Sequence, residues 1–134
     1  MKLLIKTLFV SLFAIWLSSC YSDSPSEDFE QELIIGLNPN AGTTTPVRTL
    51  GTTYDFNVLV ESAMPQKGVT VTVVYRLDSD NTIAFTKTYT TTTTPLAVTI
   101  TDIPFNETGT VVVTVTSVAK PSNTTTKTFR LVRK

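Results

Sequence analysis

The sequence predicts an all-β domain, an antiparallel sandwich of about seven short strands, preceded by a signal helix and a disordered tether. Three observations predict it. Thr occupies 27 of 134 positions, and β-branched side chains lose rotamer freedom in a helix while packing well on a pleated surface. From Tyr54 onward, apolar and polar residues alternate with period two, the signature of half-buried strands. Clusters of Pro, Gly, Asn and Asp interrupt that alternation about every 8 to 15 residues, a spacing that suits turns between short strands.

The chain opens on an address. Lys2 and Lys6 form a short basic region, Leu8 to Leu17 is apolar apart from Ser11, and the small residues Ser18 and Ser19 precede Cys20. This is the layout of a secretory signal, here residues 1–19. As a helix the apolar run spans about 15 Å, roughly half of a hydrocarbon core, so it is too short for a stable transmembrane anchor. Leu17-Ser18-Ser19-Cys20 resembles the bacterial lipobox. That resemblance implies cleavage between Ser19 and Cys20, a diacylglyceryl group on the Cys20 sulfur, and often a further acyl chain on the new amino group. Two or three chains on one residue anchor stably, whereas one chain binds only marginally.

Residues 20–32 read as the lipidated Cys followed by a solvated tether. Asp23, Glu27, Asp28, Glu30 and Glu32 stand among Ser22, Ser24, Pro25 and Ser26 with no basic residue between them. Its fully extended reach is about 40 Å. Tyr21 follows Cys20 where the enterobacterial inner-membrane retention signal has Asp, so the outer membrane is the expected destination by resemblance. The acidic, Ser-containing stretch is similar to those that accompany surface export, with the periplasmic face as the alternative.

Residues 33–134 form the expected domain. Glu32 to Leu37 reads as the first strand. Tyr54, Phe56, Val58 and Val60 share one face, and Met64-Pro65-Gln66-Lys67-Gly68 turns the chain, since Pro fixes φ and Gly opens the positive region. Val69, Val71, Val73, Tyr75 and Leu77 share the next face, and Asp78-Ser79-Asp80-Asn81 turns again. Ile83, Phe85 and Tyr89 begin a strand that runs into the Thr90–Thr94 tract and ends at Pro95. Leu96, Val98 and Ile100 alternate with Thr99 and Thr101; a connection with Asp102, Pro104, Asn106 and Gly109 follows. Val111, Val113 and Val115 point inward, Lys120-Pro121-Ser122-Asn123 turns, and Phe129 and Leu131 face the core on the last strand.

The order of these last elements resembles immunoglobulin-like and fibronectin-III-like modules of bacterial surface proteins. It runs from Ile103-Pro104 through Gly109-Thr110 at the head of a Val-rich strand to the Ala119–Asn123 turn. With the signal, Cys20, the tether and the ending Phe129-Arg130-Leu131-Val132-Arg133-Lys134, the whole is similar to the small single-domain lipoproteins of Bacteroidetes. The resemblance implies an immunoglobulin-like sandwich. The Cys pair and core Trp of antibody domains are missing, and Thr110 and Val111 stand where a tyrosine corner would be.

Composition narrows the chemistry. The chain has no His and one Cys, which removes an intrachain disulfide and His-based acid–base or metal chemistry. The net charge of +0 gives no sign of a nucleic-acid partner. Residues 33–134 carry nine basic and six acidic groups, with Arg130, Arg133 and Lys134 together at the end, which reads as a solvated strand end. Neutral-pH catalysis would fall to Asp55, Glu61, Asp78, Asp80, Asp102 or Glu107, yet nothing in their spacing pairs them, so a non-enzyme without cofactor is expected. Asp78-Ser79-Asp80-Asn81 has oxygen ligands but neither the Gly nor the downstream Glu of a calcium loop, so it reads as a hairpin turn and no metal is expected.

The mature chain has no Trp, and Tyr54, Phe56, Tyr75, Phe85, Tyr89 and Phe129 follow the inward phase. Phe105 is the exception, either plugging the sandwich end or offering one stacking face as the ligand-binding candidate. Asn106-Glu107-Thr108 and Asn123-Thr124-Thr125 match the glycosylation pattern but read as turns. The expectation is a lipid-anchored, non-catalytic interaction or structural module at the cell envelope, with an envelope protein as partner. A glycan-binding accessory module is the alternative.

Overall fold

The computed structural model describes residues 29–134. The signal, Ser19, Cys20 and the tether up to residue 28 lie outside the described residues. Among the described residues there is no helix, and eight strands form two sheets. They are β1 (Ile35–Asn38), β2 (Val47–Thr49), β3 (Tyr54–Val60), β4 (Val69–Leu77), β5 (Ile83–Thr91), β6 (Leu96–Ile100), β7 (Thr108–Ser117) and β8 (Thr124–Arg133). One sheet has the order β1-β3-β6 and the other β2-β8-β7-β4-β5.

The expected seven strands are therefore eight. The missed one, β2, is only Val47-Arg48-Thr49, too short to display alternation, and it pairs in parallel with the end of β8. All other strand pairs among the described residues are antiparallel. The first strand starts at Ile35 instead of Glu32, although Leu33 is already buried.

The two sheets face each other across an apolar core, a sandwich-like arrangement. β4 and β7 are the central strands of the larger sheet, and their inward residues Val69, Val71, Val73, Tyr75, Val111, Val113 and Val115 are essentially inaccessible. Phe56, Val58, Val98 and Ile100 of the smaller sheet close the core from the other side. Phe129 packs edge-on against Phe56, with ring centroids 5.3 Å apart, and Tyr54 stacks on Phe56 at 6.1 Å. Such aromatic pairs add to the burial of their large apolar area.

The opposite face of the larger sheet explains the abundance of Thr. Cross-strand registers align Thr90, Thr70, Thr116 and Thr124 in one rank and Thr88, Thr72, Thr114 and Thr126 in the next. Thr116 and Thr124 hydroxyls are 2.8 Å apart, and Thr72 and Thr88 3.4 Å. The methyl group and branched Cβ favour the strand while the hydroxyl keeps the outer face polar.

The alternation breaks once, at the start of β5. A bulge between Tyr75 and Arg76 pairs Phe85 with Tyr75 but Ile83 with Arg76, so Ile83 crosses to the outer face and is 49% exposed. An extra residue in one strand of a pair shifts every side chain beyond it by one face. Gly109 marks a second close approach, because a Cβ there would lie 2.6 Å from the Arg76 carbonyl oxygen and against the Tyr75 ring.

Candidate functional site

The strand directions give the domain two distinct ends. At the end where the described chain enters, three nonlocal contacts hold the segment before β1. Gln31 Oε1 accepts from the Ala63 amide at 3.0 Å, Asn123 Nδ2 donates to the Gln31 carbonyl at 2.9 Å, and the Leu33 amide donates to Asn123 Oδ1 at 2.9 Å. The Ser117 hydroxyl also donates to the Glu30 carboxylate. The final residues of the acidic stretch are thus fastened to the β3–β4 and β7–β8 turns. Gly68, at φ 80°, completes the first of these turns beside the Thr91 carbonyl, where a side chain has no room.

The opposite, distal end gathers the β2–β3, β4–β5 and β6–β7 connections with the end of β8. Its backbone is tied together by hydrogen bonds from Ile103 N to Thr52 O, Asn106 N to Arg133 O and Lys134 N to Thr49 O, at 2.9–3.0 Å. Asp102 and Asn106 both take φ 58°, a left-handed conformation that Asp and Asn tolerate better than most residues. The loop between them carries Phe105 outward.

Phe105 is 68% exposed, so it does not plug the sandwich. Ile103 fills that role instead, 1% exposed within the core. One side of the Phe105 ring is approached by the Arg133 guanidinium, 5.7 Å from the ring centroid, and Arg133 Nη1 donates to the Ile103 carbonyl. Stacking of this kind orients both groups and leaves an aromatic surface beside a cation. Leu50, 87% exposed in the β2–β3 connection, belongs to the same end. No sequence pattern singled it out, since it is one apolar residue between Thr49 and Gly51.

The carboxylates considered for chemistry are engaged singly. Asp78 accepts from Arg130 Nη2 at 2.9 Å and from Thr110 Oγ1 at 2.8 Å. Partial burial raises the Asp78 pKa, but these hydrogen bonds and the Arg130 charge outweigh it and hold the carboxyl below its ordinary value. Asp80 accepts from the Thr82 amide, which lowers its pKa, and Asn81 takes φ 62°. Together these contacts close the 78–81 segment as a hairpin turn.

Asp55 receives the Thr99 hydroxyl at 2.5 Å on the smaller sheet's outer face. Glu107 meets Ser79, and Glu61 lies over Gly36. Among the described residues no three metal-ligating side chains come together. Tyr75 is fully buried, and burial, reinforced by the Asp78 and Glu107 charges, raises the pKa of its phenol.

Two hollows lie on the surface of the described residues. One of about 340 Å³ lies at the entry end between Phe29, Met64, Pro65 and Lys67. The other, about 300 Å³, lies on the smaller sheet between Asn38-Pro39, Asp55, Asn57 and Thr99.

No family model matches the chain, and no curated protein matches it. Among solved structures the chain is similar to the sensor domain of the anti-sigma factor RsgI4 of Pseudobacteroides cellulosolvens, determined in solution. The identity is 18%, the match covers 75% of this chain and 76% of that one, and the TM-score is 0.44.

Proposed function

We propose that this protein is a cell-envelope lipoprotein whose immunoglobulin-like domain is a non-catalytic interaction or structural module, held to the outer membrane through lipid on Cys20. The observation that carries the reading is polarity. The chain enters and is fastened at one end of the sandwich, while exposed Phe105 and Leu50 stand with Arg133 at the other. A module anchored from its entry end presents its distal loops away from the membrane, where the exposed side chains of Phe105 and Leu50 are open to a partner. The sheet orders β1-β3-β6 and β2-β8-β7-β4-β5 support the immunoglobulin-like assignment, because only the β4–β5 and β7–β8 hairpins stay within a sheet and every other connection crosses to the facing one, as in Greek-key sandwiches.

The Leu17–Cys20 sequence supports lipidation, and the acidic Ser-containing stretch after Cys20 supports export to the cell surface. The second reading, a glycan-binding accessory module, is favoured by the open side of the Phe105 ring, which could stack against a sugar.

A photo-crosslinking residue at position 105, with position 66 on the β3–β4 turn as control, tests the proposal in living cells. Crosslinks to an envelope protein from 105 and not from 66 are expected. Saturable chemical-shift changes around Phe105 on adding cell-wall or dietary polysaccharide would instead establish the glycan reading. Crosslinks from position 66 alone would overturn the assignment of the distal end.

A further inference from the structure

The larger sheet is wider than the sheet that covers it, and its last strand, β5, has a neighbour on one side only. Nine residues of backbone, Ile83–Thr91, form that free edge. Long open edges invite strand addition, and an inward-pointing charge restricts which strands can add. Lys87 is such a charge: its register partner is Val73, which is fully buried, so Lys87 stands on the inward face of β5. Its ammonium lies 5.0 Å from the ring centroid of Tyr89 on the same face, while Phe85, two residues the other way, is only half-buried. Among the described residues the sole ion pair is Arg130–Asp78, which leaves Lys87 without a carboxylate partner.

We propose that the β5 edge docks an extended segment of a partner protein, read by Lys87 as an acidic residue flanked at the second position on each side by apolar residues. Backbone hydrogen bonds would supply the attachment, and alternate side chains the selectivity. Directly opposite residues on neighbouring strands interact most strongly, so an acid would face Lys87 while apolar side chains meet Phe85 and Tyr89. The Thr86 and Thr88 face would meet polar residues. A second copy of this chain is disfavoured, because β5 carries no acidic residue to set opposite Lys87. The edge of β8 is the poorer site: its Lys127 faces Val113 in the same way, but β2 already occupies residues 131–133. This docking edge is independent of the distal loops and of lipidation.

The test uses the purified full chain and two acetylated, amidated peptides, Thr-Val-Thr-Glu-Thr-Val-Thr and the same peptide with central Lys. Amide shifts and hydrogen exchange are followed in the chain and in Lys87→Glu. The Glu peptide is expected to shift and protect amides of residues 85–91. The Lys peptide should bind roughly fivefold to thirtyfold more weakly, and Lys87→Glu should reverse the preference. The reversal separates charge reading from damage to the fold. Equal binding of both peptides, perturbations confined to the distal loops, or no perturbation of β5 would overturn the proposal. So would sedimentation showing a dimer whose β5 amides are protected.

Discussion

Replacing Val113 by Asp, with Thr114→Asp as its neighbour control, probes the sandwich at its centre. Val113 is 0% exposed in the middle of β7, opposite Val73, whereas Thr114 points to the outer face between Thr72 and Thr126. Removing the Val side chain from the core forfeits about 1.5–3 kcal/mol of burial. Placing a carboxyl there without a hydrogen-bond partner adds about 1–3 kcal/mol even when it is protonated.

The sum is a large fraction of the roughly 5–15 kcal/mol that holds a small domain folded. At about 4–8 °C per kcal/mol, Tm should drop by more than about 10 °C, or the cooperative transition should vanish. Thr114→Asp loses one hydroxyl contact, 3.3 Å to Thr126, in a half-buried setting and should cost about 1 kcal/mol or less. Thermal unfolding followed by circular dichroism reads both. Equal Tm values, or a larger loss for Thr114→Asp, would show that the register is displaced by one residue.

The bulge makes Ile83 dispensable: Ile83→Thr should change stability by about 0.5 kcal/mol or less in urea unfolding, while Phe85→Thr costs clearly more. The Asp78 carboxyl is held below its ordinary value of 3.8, so its stabilising contribution is complete above that pH and fades as pH falls through the lower folded value. With both side chains more than a third exposed, the pair with Arg130 is worth about 1 kcal/mol or less. Asp78→Asn should therefore lower stability at pH 6 and converge on the wild type in strong acid, as measured by unfolding at each pH. Protease added to intact cells should release the domain by cutting within residues 21–28. Retention of the full-length chain until lysis would place the domain on the periplasmic face.

Alternation made most of the sandwich legible, because the strands from Tyr54 onward other than the edge strand β5 each have one buried face, and the turns between them are written in Pro, Gly, Asp or Asn. What escaped depends on nonlocal partners. β2 exists because the end of β8 offers it a parallel neighbour, and three residues cannot announce that. Ile83 alternates in phase with Phe85, and the bulge that turns it outward leaves no mark on a Val- and Thr-rich pattern.

Glu30 and Gln31 read as part of a solvated stretch by composition, yet Ser117, Ala63 and Asn123, some 30 to 90 residues away, hold them to the domain. Phe105 stood out as a loop aromatic, but its exposure follows from Ile103 having taken the core position beside it. Lys87 was invisible as a recognition group because a sequence does not reveal that one sheet overhangs the other.

The most direct test of the account is metabolic labelling with an alkyne fatty acid, combined with membrane fractionation. The wild-type chain should carry label on an N-terminal Cys20 and sediment with the outer membrane, and Cys20→Ala should lose both, since no other thiol is present. An unlabelled wild-type chain, or label that persists in Cys20→Ala, would contradict the lipid anchor on which the proposed display of the domain depends.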